Sequence, residues 1–121
     1  MKKILIVDDQ QQVRELVEVT LRDENYLVLQ AGSGEEAVKT AKKEKPELII
    51  MDIMMPGTID GLEATRIIKK GSATRDCKVI MLTAKGQDTD IEKGYKAGAE
   101  GYFVKPFSPL DLIRKVEESL G

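Results

Sequence analysis

Histidine and tryptophan are absent from this chain of 121 residues, and cysteine occurs once. Without histidine the commonest general base and metal ligand is missing, so a metal site has to be built from oxygen. A single thiol, Cys77, excludes a disulfide within the chain and fits a reducing compartment. Cys77 itself reads as a passive thiol ahead of a strand. Aromatics are scarce, three Tyr and two Phe, too few for a base-stacking surface. The net charge of −2 offers no attraction to nucleic acid or to an anionic membrane. No apolar run approaches the roughly 20 residues of a membrane span, and the opening MKKILIVDDQ runs into charge too early for a signal peptide. These absences describe a cytoplasmic protein with a single domain over 1–121.

What remains is a regular alternation. Short apolar runs (KILIV, YLVLQ, ELIIM, KVIML, GYFV) alternate with longer amphipathic stretches. Three of the runs are apolar on both faces, as strands of a buried parallel sheet are. Val13, Leu16, Val17, Thr20 and Leu21 follow helical spacing, and Leu110, Ile113, Val116 and Leu120 form a second stripe. Ser33 and Glu36 have the spacing of a capping box, and Ser108 precedes Pro109 as a cap precedes proline at a first helical position. Pro46 and Lys96-Ala97-Gly98 mark helix ends. The order is β-α repeated five times, which implies a parallel sheet with helices on both faces.

Ligands of such sheets bind beyond the carboxyl ends of the strands. The residues delivered there are Asp8 and Asp9 after the first run, Asp52 after the third, Thr83 at the fourth and Lys105 after the fifth. Taken singly, Asp8 and Asp9 read equally as helix caps, and Thr83 and Lys105 as solvated loop groups. Taken together they point to one edge. Three adjacent carboxylates repel unless a cation or proton joins them. Oxygen ligands alone favour Mg²⁺, with Mn²⁺ a second choice. A lysine and a hydroxyl beside the cation would clamp a phosphoryl group, and an Asp carboxylate can act as nucleophile to give an aspartyl-phosphate. Asp52, on a central apolar strand, is the expected nucleophile.

The chain resembles the receiver domains of two-component response regulators. The matching stretches are VDDQ (7–10), MDIMMP (51–56), DG (60–61), LTAK (82–85) and AGAEGYFVKPF (97–107), in order and over nearly the full length. The resemblance implies a flavodoxin-like, doubly wound (βα)5 fold with strand order 2-1-3-4-5. It implies that Asp52 accepts a phosphoryl group from a histidine kinase or a histidine phosphotransfer protein. Asp9, Asp52 and the backbone carbonyl of Met54 would ligate Mg²⁺, with Asp8 in or next to the first shell. Lys105 would contact a phosphoryl oxygen. Thr83 and Tyr102 would switch together and reshape the surface of the fourth helix, fifth strand and fifth helix, which binds an output protein. Met54 and Lys85, each two residues past a site residue, would tune the phosphoryl lifetime, Met54 by keeping water out. Gln10, Gln11, Gln12 and Arg14 lie on the helix that meets the kinase in this family. The chain is expected to be a monomer or a phosphorylation-linked dimer. It would catalyse its own phosphorylation and a slow dephosphorylation rather than turn over a substrate.

One departure from the family pattern is local. Three residues, Gly57, Thr58 and Ile59, separate the loop Pro56 from Asp60-Gly61 where two are usual. Three other readings fit less well. A haloacid-dehalogenase-type phosphatase needs an acid at position 54, which is Met. A flavodoxin-like FMN module needs phosphate-binding hydroxyls after the first strand, where Asp8 and Asp9 stand. Gly32-Ser33-Gly34-Glu35-Glu36-Ala37 imitates a dinucleotide fingerprint, but its two glutamates would face the pyrophosphate. Because no output domain follows Gly121, the expectation is a stand-alone receiver. The alternative is a receiver cut from a longer DNA-binding transcription regulator.

Overall fold

The computed structural model describes residues 1–84 and 88–121. Its elements are β1 (Lys3–Val7), α1 (Gln11–Arg22), β2 (Leu27–Ala31), α2 (Gly34–Glu44), β3 (Leu48–Asp52), α3 (Gly61–Lys70), β4 (Lys78–Ala84), α4 (Asp88–Ala97), β5 (Gly101–Lys105) and α5 (Pro109–Leu120). The strands form one parallel sheet in the order β2-β1-β3-β4-β5, the order the resemblance implies.

Strand alternation divides the core in two. Leu5, Val7, Ile49, Met51, Val79 and Met81 face Ala37 and Ala41 of α2 and Ala64 and Ile68 of α3. Ile4, Ile6, Leu48, Ile50, Ile80 and Leu82 face Val17 and Leu21 of α1 and Leu112 and Val116 of α5. Because side chains of successive strand residues point to opposite faces, an unbroken apolar run is what a sheet covered on both sides requires. Each such Leu or Ile contributes about 1.5–3 kcal/mol through burial.

Helix starts follow the local chemistry. Ser33 Oγ accepts from Glu36 N at 3.2 Å, and Glu36 Oε1 accepts from Gly32 N at 2.9 Å. The box therefore closes on Gly32 rather than on the cap residue itself. Asp60 Oδ1 accepts from Glu63 N, and Ser108 Oγ accepts from Asp111 N. Neither Asp8 nor Asp9 is a helix cap, because that position is Gln10. Asp8 Oδ1 instead accepts from Gln10 N at 2.9 Å and shapes the turn before α1.

Two positions of the helical stripes differ from the periodicity. Leu110 is 55% exposed and Leu112 fully buried. The face of α5 that meets the sheet is set by Leu112 and Val116, four residues apart, and Leu110 belongs to the first turn beside Pro109. On α1, Leu16 is exposed while Val17 and Leu21 are buried.

The amino end of β4 is tied down from two sides. Lys69 Nζ donates to Arg75 O at 2.7 Å, to Cys77 O at 2.9 Å and to Glu100 Oε2 at 2.7 Å. Val79 N donates to Glu100 Oε1 at 2.8 Å.

Candidate functional site

The opposite, carboxyl edge of the sheet collects the candidate residues. β3 is buried along its whole length and ends in Asp52, itself only 7% exposed. Asp8 follows β1 and is fully buried, while Asp9 next to it is exposed. Asp8, Asp9 and Asp52 each offer a carboxylate oxygen within 4.8 Å of the others. Lys105, the last residue of β5, brings Nζ to 2.7 Å from Asp8 Oδ2 and 3.5 Å from Asp52 Oδ2. The approach to Asp8 is ionic, outside hydrogen-bonding geometry, since Asp8 Oδ2 has no directed partner. Register places these ends side by side: Asp52 pairs with Leu82, and Ala84 pairs with Lys105.

Crowding shows in the proton affinities. Burial first, and then the charge of Asp8, push Asp52 up from 3.8 to about 6, against the pull of Lys105. For Lys105, burial disfavours the ammonium, but the carboxylates of Asp8 and Asp52 outweigh it and raise its pKa. The edge thus holds more negative charge than one lysine offsets. An all-oxygen set with one fully buried carboxylate suits a hard divalent cation.

Thr83, one residue past the partner of Asp52, is buried, and its hydroxyl has no hydrogen-bond partner among the described residues. Arg14 supports the cluster from behind. Its Nη1 donates to Asp8 O at 2.7 Å and its Nε to Gln30 Oε1 at 3.1 Å, and Gln30 Nε2 donates to Glu18 Oε1.

A family model, the response regulator receiver domain, matches residues 4–117. The chain belongs to this family. It is 42% identical over 118 residues to the transcriptional regulatory protein ResD of Bacillus subtilis, covering 98% of this chain and 48% of ResD. The chain spans about half the length of the curated relatives it matches. Among solved structures it is similar to the chemotaxis response regulator CheY4 of Vibrio cholerae, with TM-score 0.92, 34% identity and 99% of each chain covered. It is also similar to the receiver domain of the sensor histidine kinase PA1611 of Pseudomonas aeruginosa. There the TM-score is 0.89, the identity 32%, and the coverage 99% of this chain and 98% of the other. That structure has a magnesium ion coordinated in its active site cleft.

The other expected positions of this receiver fall in two places. Met54 is 67% exposed. It lines a cleft of about 490 Å³ together with Asp52, Ile53, Ala84, Asp90, Lys93 and Lys105. Tyr102 lies away from that cleft. Its ring meets Tyr95 of α4 edge-on, with centroids 6.4 Å apart at 87°, and Lys115 Nζ of α5 lies 5.9 Å from its centroid. The ring therefore touches both flanking helices. Lys85 lies outside the described residues.

Three roles are not assigned by sequence alone: Asp90 and Lys93 lining the cleft, and Arg14 as the support of Asp8. For Asp90 and Lys93 the available signal was helical spacing on α4, three residues apart on one face. For Arg14 the only signal was a lone basic residue early in a helix that follows an acidic pair.

Proposed function

We propose that the chain is a phosphoacceptor switch of two-component signalling in which Asp52 takes the phosphoryl group. The observation that carries this reading is the meeting of Asp8, Asp9, Asp52 and Lys105 at the carboxyl edge of the sheet. A carboxylate oxygen of Asp52 forms a bond to phosphorus as the phosphorus–nitrogen bond of a phosphohistidine donor breaks. The bonding pair stays with the imidazole, which takes up a proton. Lys105 neutralises a phosphoryl oxygen, and the Thr83 hydroxyl donates to another. Asp9, Asp52 and the Met54 carbonyl, with Asp8 beside them, would hold Mg²⁺ or Mn²⁺. The cation, when bound, offsets the charge of the carboxylates and of the transferring group. Burial favours that compensation, since it helps raise Asp52 to about 6.

The output follows from Thr83 and Tyr102. With Thr83 drawn to the phosphoryl group, Tyr102 turns inward and leaves Tyr95, which changes the surface of α4, β5 and α5 presented to a partner protein. The donor is a histidine kinase or a histidine phosphotransfer protein, acting in the cytoplasm. No described helix is long and apolar enough to cross a membrane. A second reading rests on ResD, named a transcriptional regulatory protein and about twice as long as this chain. On that reading the chain is the receiver portion of such a regulator, and the reading frame at the source locus decides between the two.

The test is labelling by a small phosphodonor such as acetyl phosphate, with and without Mg²⁺, in the wild type and Asp52→Asn. Labelling should need both Mg²⁺ and Asp52. Full labelling of the mutant, or labelling indifferent to Mg²⁺, contradicts the assignment.

A further inference from the structure

The extended loop after β3 is gripped from outside the sheet. Glu35, in the first turn of α2, accepts from Thr58 N through Oε2 at 3.2 Å. Gly57 has φ +123°, a conformation that favours glycine, and a Cβ at that position would lie 3.3 Å from Glu35 Oε1. Next to Glu35, the backbone of Gly34 runs against the loop so closely that a Cβ there would come 2.6 Å from Ile59 O. On the other side Met55 is buried and Ile59 packs against the core. Gly61 N donates to Ile53 O at 3.2 Å and closes the base of the loop. The Glu35 carboxyl is held below its ordinary range by its own backbone N–H first and then by that of Thr58, with smaller help from Ile59 N–H and the Thr58 hydroxyl.

We propose that Glu35 is a positioning residue for the metal side of the site, holding the lengthened loop Gly57–Ile59 so that the Met54 carbonyl stays directed at the cation position. The inference rests on the proposed role of Asp52 and Met54. An added residue gives a loop more conformations, and a loop that must present a carbonyl needs them removed. Burial of Met55 and the packing of half-buried Ile59 against the core fix two points. Thr58 lies between Ile59 and the left-handed turn at Gly57, and Glu35 supplies the third point. The simpler role for an acid in a first helical turn is to stabilise the helix end. That role predicts no effect on the loop or on metal affinity.

Three measurements separate the two roles: amide hydrogen exchange at Thr58 and Ile59 in Mg²⁺-free protein, the Mg²⁺ dissociation constant by calorimetry, and the urea midpoint. Glu35→Ala should speed Thr58 exchange by about tenfold or more and weaken Mg²⁺ binding by roughly three- to tenfold, somewhat less than loss of a direct partner of a metal ligand. Glu35→Gln keeps a neutral acceptor and should fall between Ala and wild type in both. Unchanged Thr58 exchange in Glu35→Ala overturns the inference, and so does faster exchange with unchanged Mg²⁺ affinity. A shift of the urea midpoint alone assigns Glu35 to the helix end and also overturns it. A wild-type chain that binds no Mg²⁺ fails at the underlying reading, a result these variants do not mimic.

Discussion

Lys105 stands closer to Asp8 than to Asp52, 2.7 Å against 3.5 Å. The ammonium thus leans on Asp8 more than on Asp52, the proposed phosphoacceptor. It occupies charge space a cation would share, without being a ligand. Lys105→Ala should therefore keep Mg²⁺ binding, or tighten it, while phosphorylation from a small donor slows by at least about tenfold. Calorimetry and labelling measure the two separately. Lost Mg²⁺ binding would sink the assignment.

A dependence of stability on pH follows from Asp52. Its pKa in the folded chain, about 6, lies above the ordinary 3.8. Between those values the folded state holds more protons than the unfolded one, so stability falls as pH rises. The loss is complete above the folded value and amounts to about 3 kcal/mol at most. Asp52→Asn removes this term. In urea unfolding without Mg²⁺, the mutant should be more stable than wild type at pH 7–8 and nearly equal to it at pH 4. A constant difference across that range would refute the account.

Met54 stands exposed at the cleft beside Asp52 and cannot orient a water molecule. Dephosphorylation should accelerate several-fold, roughly 1 kcal/mol off the barrier, in Met54→Asn. The decay of labelled protein after donor removal measures it. Equal decay in mutant and wild type would exclude Met54 as a timer.

The edge-on pair of Tyr95 and Tyr102 offers a test of the proposed switch. Ring signals of Tyr95 should shift on phosphorylation as its edge-on neighbour leaves. In Thr83→Ala the shift should vanish while labelling persists within a few-fold of wild type. A Tyr95 shift that survives in Thr83→Ala would break the proposed link.

On α5, Leu112→Ala should cost about 2–5 kcal/mol because that side chain is fully buried. Leu110→Ala should cost under about 0.5 kcal/mol. Urea midpoints compare them directly. Periodicity alone reads the reverse, counting Leu110 in the stripe and leaving Leu112 out.

The same contrast marks how far sequence reaches. The alternation of strands and helices, the edge where they end, and the residues carried there are set by local pattern, and Asp8, Asp9, Asp52, Thr83 and Lys105 do gather at that edge. Patterns of one helix do not show which way it rolls on the sheet, so helical spacing counts Leu110 and Leu16 in the apolar stripes although both are exposed. Contacts between distant segments leave no local trace either. Arg14 on the carbonyl of Asp8 is one case, and Glu35 on Thr58 is another. In the sequence Glu35 belonged to a false dinucleotide motif. In the fold, that motif is the start of a helix leaning on the loop after β3.

The tie of Lys69 and Glu100 at the amino end of β4 has a practical bearing. β4 is anchored at its root and carries Thr83 near its other end, where it is paired with β3 on one side and β5 on the other. Cys77, the chain's one thiol, lies buried at that root and bonded to Lys69 through its carbonyl. A label on that thiol would have to open the root of β4, so a reporter of the proposed switch belongs on α4 beside the exposed Tyr95.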